Sequence, residues 1–286
     1  MSTNIPSLSE TKKKDLILKI ITYILSIGLS ILILMPFIFL MREIFGDETY
    51  IQPGPGGTFE IVRVPRKTLM TFKEFLGLFN SWSFIPLKNS LIVSVTSTFL
   101  NIYFSALTAY ALTAYKWKLR EAFEKGIIIA MMIPTTVASL GFIQLTYKFG
   151  LINKLFILII PALATPLTVF FMRMYLKATF SQEILEAARI DGAGEFRIFN
   201  QIMLPIMKPA IATQTIFCFV SSWSEVWVPS IILLDDNKKT LSIFNSAKVL
   251  APPGGLELMM VIPPILVYVF CSKYIVEGVA LGSVKN

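Results

Sequence analysis

A chain of 286 residues that is 55% hydrophobic, only 15% charged and of mean hydropathy +0.69 falls outside the range of soluble domains, where roughly a quarter of residues are charged; it is a polytopic membrane protein. Histidine is absent, which removes the usual zinc sites, haem ligation and histidine-based triads, so no metal site and no catalytic residue is expected. The net charge of +8 is assigned to topology and anionic lipid headgroups, and no nucleic-acid role is implied.

Apolar blocks of about twenty residues, the length that crosses a roughly 30 Å hydrocarbon core as helix, replace domain counting with span counting. Six are marked: Leu16 to Met41, Asn89 to Tyr115, Gly126 to Tyr147, Leu155 to Tyr175, Pro209 to Leu234 and Leu256 to Val276. The expected organisation is an N-terminal tail, 1–15, and one six-helix transmembrane domain, 16–286. The first block follows Lys12, Lys13 and Lys14 but is too long for a signal-peptide core and lacks a small-residue cleavage site before Arg42, so it is expected to remain. Cys218 and Cys271 lie inside apolar blocks and are read as small structural hydrophobes.

The positive-inside rule sets the orientation. Lys12, Lys13, Lys14 and Lys19 mark the N-terminal side; Lys116, Lys118, Arg120 and Lys125 mark the second-to-third connection; Arg173, Lys177, Arg189, Arg197 and Lys208 mark the fourth-to-fifth. Lys273 and Lys285 mark the C-terminus, placing both termini in the cytoplasm of a multi-pass plasma or inner-membrane protein. Two loops fall outside, 42–88 and 235–255. In the first, the turn-rich run 52–57 precedes Phe59 to Val64, whose partial alternation suits a strand or hairpin arm. The second ends in Ala251-Pro252-Pro253-Gly254-Gly255, a turn that projects from the membrane. For either loop a solvated connector and a docking role are equally open.

Between the fourth and fifth spans lies a stretch too polar to cross, 181–209. Ser181 can cap a helix carrying Glu183 and Glu186 in its first turns, with Ile184, Ala187 and Ala188 as a narrow apolar stripe. Gly192-Ala193-Gly194 breaks it. A second amphipathic helix is expected with Phe196, Phe199, Ile202 and Met203 on one face and Glu195, Arg197, Asn200 and Gln201 on the other, before Pro205 and Pro209 return the chain to the bilayer. From amphipathicity alone this would be a helical hairpin lying on the membrane surface.

The spacing within it points further. Glu186-Ala187-Ala188, three residues, Gly192, nine residues, Ile202, one residue, Leu204-Pro205 is similar in every fixed position to the EAA signature of permease subunits of ABC importers. Asn89-Ser90-Leu91, Ala109-Tyr110-Ala111-Leu112, Ile133-Pro134, Gly150-Leu151-Ile152-Asn153 and the closing run from Gly278 to Lys285 extend the likeness to maltose-type carbohydrate permeases. It runs from about Leu16 to the C-terminus and is weakest over 42–82.

The resemblance implies an all-α membrane fold of six helices with a cytoplasmic EAA helix-elbow-helix between the fourth and the fifth. It implies an ATP-driven importer of a sugar or oligosaccharide, with a second homologous permease as heterodimer partner, two cytoplasmic ATPase subunits and an extracytoplasmic solute-binding protein. With no GxxxxGK[ST] loop the chain is not itself an enzyme, and ATP and Mg are expected on the ATPase partner. Glu186, Ala187, Ala188, Asp191, Gly192, Ile202, Leu204 and Pro205 would couple to that ATPase, as would Gly282, Val284 and Lys285 of the 277–286 tail. Lys248, Pro252, Pro253, Gly254 and Gly255 would face the binding protein.

Within the fifth span, Trp223, Ser224, Glu225 and Trp227 are candidates for the pore or outer gate. Glu225 lies 16 residues past Pro209, about 24 Å at 1.5 Å per residue, near the outer leaflet. A pore-facing acid and an interfacial carboxylate among belt tryptophans are equally open for it. The family usually carries Asn where this chain has Ser224. Asn101, Tyr103, Tyr110, Gln144 and Gln214 are expected as interhelical hydrogen-bond partners rather than sugar ligands. The competing reading, an ATP-independent secondary transporter or channel, calls for intramembrane charge pairs, ion sites or an inverted repeat, which apart from Glu225 the spans lack.

Overall fold

The computed structural model describes residues 8–45, 48–53, 59–64, 77, 83–163, 165–247 and 255–283. They fall into two compact units.

The smaller unit holds α1 (Leu8–Phe45) and a hairpin, β1 (Glu48–Pro53) with β2 (Phe59–Val64). The strands are antiparallel, in a register pairing Glu48 with Val64 and Pro53 with Phe59. The arm expected over Phe59 to Val64 is therefore a strand, and among the described residues the fold is helical but for this hairpin. From Leu16 to Phe39 the side chains of α1 lie open to the surroundings, as a helix solvated by lipid requires. Two of its hydroxyls bond within the helix, Thr22 to the Leu18 carbonyl at 2.8 Å and Ser30 to that of Ser26 at 2.7 Å, so that these groups meet hydrocarbon already paired.

The larger unit is organised around α2 (Phe84–Ala114). Its buried stripe is small and polar: Ser90, Ser94, Ser97, Thr98, Asn101, Ser105, Ala106 and Ala109, spaced by three and four. Its exposed face is large and apolar, with Leu91, Ile92, Val95, Phe99, Phe104 and Leu107. This inverts the amphipathicity of a soluble helix, because lipid tails are as apolar as leucine and close backbone approach goes to small residues. Against that stripe pack α5 (Pro166–Thr179) and α9 (Lys208–Ser224). Asn101 donates to the Thr165 hydroxyl at 2.6 Å, an interhelical bond of the expected kind.

Among the described residues five helical segments are long and apolar enough to cross a membrane, and the third expected span is not one of them. It is a pair, α3 (Arg120–Met131) and α4 (Thr135–Lys148), bent by 95°. Pro134 explains the break: it has no N–H for the helix ladder, and its own carbonyl instead starts α4 by accepting from Val137 and Ala138. The fourth span reaches α5 through two single 3₁₀ turns, Leu155–Leu158 and Ile160–Leu163, and α5 opens on Pro166, whose missing N–H costs nothing at a first helical position. Arg173 of α5 is 3% exposed, and its guanidinium makes a two-pronged ion pair with Glu124 of α3, joined by Lys177 at 3.6 Å.

The remaining elements are α6 (Gln182–Ile190), α7 (Glu195–Ile198), α8 (Leu204–Ile206), α10 (Trp227–Ile232), α11 (Leu241–Ala247) and α12 (Gly255–Ser283).

Candidate functional site

The polar stretch after α5 folds as a helix, an elbow and a broken second helix. Ser181 occupies the N-cap position of α6 with extended backbone, but its hydroxyl makes no capping bond. At the other end Ala193 N–H donates to the Ala188 carbonyl and Gly192 N–H to that of Arg189, both at 3.0 Å, with Gly192 at φ +77°. This is a Schellman closure, and the left-handed backbone it needs is what glycine supplies without strain. Gly194 has ordinary φ −69° and carries no such requirement.

The second helix differs from the single amphipathic one expected. It runs as α7, then a π-type turn over Phe199–Met203, then α8. Pro205 has no N–H to give the carbonyl of Gln201, so the ladder widens ahead of it.

The segment is anchored to the transmembrane helices. Leu185, Ile198, Met203 and Met207 are fully buried, and with Phe199 and Ala188 they join Ile102, Ala106, Ala109 and Tyr110 of α2 and Met172 and Leu176 of α5 in one core. Truncating a residue held like Leu185 to alanine costs about 2–5 kcal/mol. The outward side carries Ile190 at 86% and Phe196 at 74% exposure, with Ile184, Glu186, Ala187, Asp191 and Arg197 exposed around them. The stripe expected as one face is thus divided. Ala188 turns into the chain's own core and Ile184 and Ala187 turn away, because Leu185 takes the inward position and rotates the helix by one residue. Ile202 and Leu204 are half-buried against the same core, and Pro205 is exposed. A shallow hollow of roughly 210 Å³ opens at the elbow, lined by Ala188, Asp191, Ala193, Arg197, Gln201 and Ile202.

Glu195, expected merely on a polar face, is the polar joint of the assembly. Its carboxylate accepts from the hydroxyls of Tyr110, at 3.2 Å, and Tyr115, and pairs with the Arg189 guanidinium at 2.8 Å. Arg189 also lies over the Tyr115 ring, 5.7 Å from its centroid. The guanidinium first and the Tyr115 hydroxyl second hold the Glu195 carboxyl below the usual glutamate range, and Arg189 is raised in return. Beside it Tyr103 meets Phe199 edge-on at 5.6 Å and donates to the Asn200 side chain at 3.4 Å. Local spacing held no sign of this joint, since its tyrosines stand 85 and 80 positions away.

At the opposite end of α2, the candidates in the fifth span separate. Trp223 is buried, stacked on Phe219 at 5.7 Å, and its indole N–H donates to the Met260 carbonyl at 2.9 Å. Ser224, Glu225 and Trp227 are exposed. The chain leaves helix at Glu225, whose carboxylate accepts the Val228 N–H at 3.2 Å and so helps start α10. Of the polar intramembrane residues, Asn101, Tyr103 and Tyr110 bond to other segments; Gln144 is exposed and Gln214 buried, with no side-chain hydrogen bond to either among the described residues. Gly255 opens α12 and Gly282 lies in its last turn, while Lys248, Pro252, Pro253, Gly254, Val284 and Lys285 lie outside the described residues.

Comparison with known proteins bears on the whole arrangement. A family profile described as binding-protein-dependent transport system inner membrane component matches residues 101–272. The chain is similar to the arabinooligosaccharides transport system permease protein AraQ of Bacillus subtilis (strain 168), 34% identical over 227 residues that cover 76% of this chain and 80% of the relative. It is 31% identical over 206 residues to the melibiose/raffinose/stachyose import permease protein MelC of the same organism, covering 69% and 75%. The crystal structure of a bacterial ABC transporter involved in the import of the acidic polysaccharide alginate shares the fold, with TM-score 0.72 and 22% identity over 95% of this chain and 99% of that one.

Proposed function

The chain belongs to the binding-protein-dependent transport system inner membrane component family, and from that membership we propose that it is the permease subunit through which an ATP-driven importer moves a neutral sugar or short oligosaccharide. The observation that carries the reading is the elbow. Large apolar side chains, Ile190 and Phe196, stand exposed on a segment whose inner side is fixed in the core, the arrangement of a rigid knob awaiting a groove.

In this reading the elbow lies in the cytoplasm with both termini, the bent pair α3 and α4 serves as the third of six crossings, and the loops 42–88 and 235–255 face outward. Two ATPase subunits bind ATP and Mg and receive the elbows of this chain and of a second, homologous permease. The tail Gly282 to Lys285 reaches the ATPase pair, and the loop Lys248 to Gly255 meets an external binding protein. ATPase closure then rocks the paired permeases between inward-facing and outward-facing states. The substrate class follows the sugars named for the AraQ and MelC relatives.

The test is reconstitution with the partner permease, the ATPase and the binding protein. ATP hydrolysis should rise with binding protein loaded with arabinotriose or raffinose and not with either sugar alone, and Glu186→Lys should abolish ATPase co-elution. A binding protein that instead captured uronic-acid oligomers, peptides or amino acids would overturn the neutral-sugar assignment, and co-elution unaffected by Glu186→Lys would overturn the role of the elbow.

A further inference from the structure

The chain between α10 and α11 forms a strap, 231–241, gripped by side chains from two distant segments. In the first turns of α2, the Asn89 amide donates to the carbonyls of both Asn237 and Lys239 at 3.0 Å. The neighbouring Ser90 hydroxyl accepts the Leu241 N–H at 2.8 Å. After α4, Asn153 accepts the N–H groups of Leu234 at 2.6 Å and Asp235 at 2.9 Å, while its own N–H donates to the Ile232 carbonyl at 3.1 Å. Tyr147 adds a bond to the Ile231 carbonyl at 3.1 Å. Asn153 sits at φ +59°, a left-handed conformation that asparagine tolerates better than most residues and that aims its carboxamide at the strap.

Every one of these contacts is made to strap backbone, so the grip is indifferent to strap sequence. The strap's own Ile232 and Leu233 pack with Ile143, Ile157 and Ile243 in an apolar floor. Above it, Asp235, Asp236, Asn237 and Lys238 are exposed. The helix that supplies Asn89 and Ser90 runs unbroken to Tyr110, about 31 Å on at 1.5 Å per residue, where it holds Glu195 of the elbow.

We propose that Asn89 and Asn153 are positioning residues that lock the strap to α2 and to the end of α4, so that α2 acts as a strut carrying displacement of the strap by a docked external protein to the coupling elbow. The proposal rests on the importer reading and its orientation. A strap free to slide would absorb such a displacement within its own turns; one pinned at both ends passes it to α2 and to the end of α4.

The hydrogen-bond polarity gives the experiment its edge. Asn89 acts only as donor, so aspartate cannot replace it; Asn153 acts through its side-chain oxygen only as acceptor, so aspartate can. In the reconstituted importer, with ATP hydrolysis measured with and without the binding protein loaded with arabinotriose, Asn89→Ala, Asn89→Asp and Asn153→Gly should lower the stimulated increment about tenfold and leave the basal rate within about twofold. Asn153→Asp should keep the increment. Stimulation like wild type in Asn89→Asp and Asn153→Gly would overturn the proposal, as would parallel loss of basal and stimulated rates in both. If the alanine or glycine variant does not assemble, the two aspartate variants decide it: equal behaviour of Asn89→Asp and Asn153→Asp would overturn the clamp. A wild-type complex that no loaded binding protein stimulates would instead refute the importer reading.

Discussion

The hydroxyl of Tyr110 and the carboxylate of Glu195, 85 positions apart, lie 3.2 Å from each other where α2 meets the elbow. Because Arg189 and Tyr115 share the same carboxylate, the elbow is fastened to α2 by a charge as well as by the apolar core around Leu185 and Phe199. A segment held twice moves with the helix it is held to, which is what a coupling element requires.

That charge gives the fastening a pH dependence. The Glu195 carboxyl is depressed in the folded chain, so its contribution is full above the ordinary glutamate value, about 4.3, and is lost as pH falls through the depressed value. Its side chain is 48% exposed, so solvent screening keeps the effect below about 1 kcal/mol. In detergent, Glu195→Gln should lower Tm by about a degree at pH 7, and the gap to wild type should narrow as the pH falls from the ordinary glutamate value through the depressed one. A gap that widens on acidification would contradict the assignment.

The two glycines of the elbow should respond differently to the same change. Gly192→Ala places a side chain at φ +77° and costs about 1–2 kcal/mol, although the added methyl meets nothing within 4 Å. Gly194→Ala meets neither obstacle and should be neutral. Thermal unfolding of the two variants, with ATPase co-elution as second readout, checks this; equal effects would mean that the left-handed turn is not what constrains the elbow.

Glu124 neutralises a guanidinium that is almost wholly buried. Glu124→Ala leaves Arg173 without its anion and should destabilise the protein by about 3 kcal/mol, whereas Glu124→Leu combined with Arg173→Met should cost less than either single change. Tm measurements around this double-mutant cycle decide it, and additive losses would show that the pair is not coupled.

Orientation is open to direct labelling. A cysteine at Lys238, exposed on the strap, should react with an impermeant thiol reagent from outside the cell, and one at Gly194 only after the membrane is opened. The reverse pattern would invert the topology, and Cys218 and Cys271, both partly exposed, set the background to subtract.

Much of this was legible in the sequence because membranes impose a length rule and glycine runs break helices. The blocks at Leu16, Asn89, Leu155, Pro209 and Leu256 became membrane-length helical segments, and Gly192-Ala193-Gly194 marked the break between α6 and α7. The third block differs in form, since Pro134 sits amid residues apolar enough to hide a 95° bend from any hydropathy count. The inward turn of Ala188 was hidden too: Leu185 and Ala188 and the pair Ile184 and Ala187 are equally periodic, and only the position of α2 and α5 decides which goes inside. Asn89 and Asn153 marked motifs whose purpose lay in segments up to 150 positions away, beyond the reach of local pattern.

The small, hydroxyl-rich stripe of α2 also bears on biogenesis. Ribosomes deliver α2 to the membrane long before α9 exists, so for that interval the face carrying Ser97, Thr98 and Asn101 lacks the helix that later packs against it. Lipid is a poor temporary host for such a surface. Chains ended after Lys148 should therefore be cleared by membrane proteases faster than chains ended after Ser224. Assembly order, and not hydrophobicity alone, is written into the face that this helix turns inward.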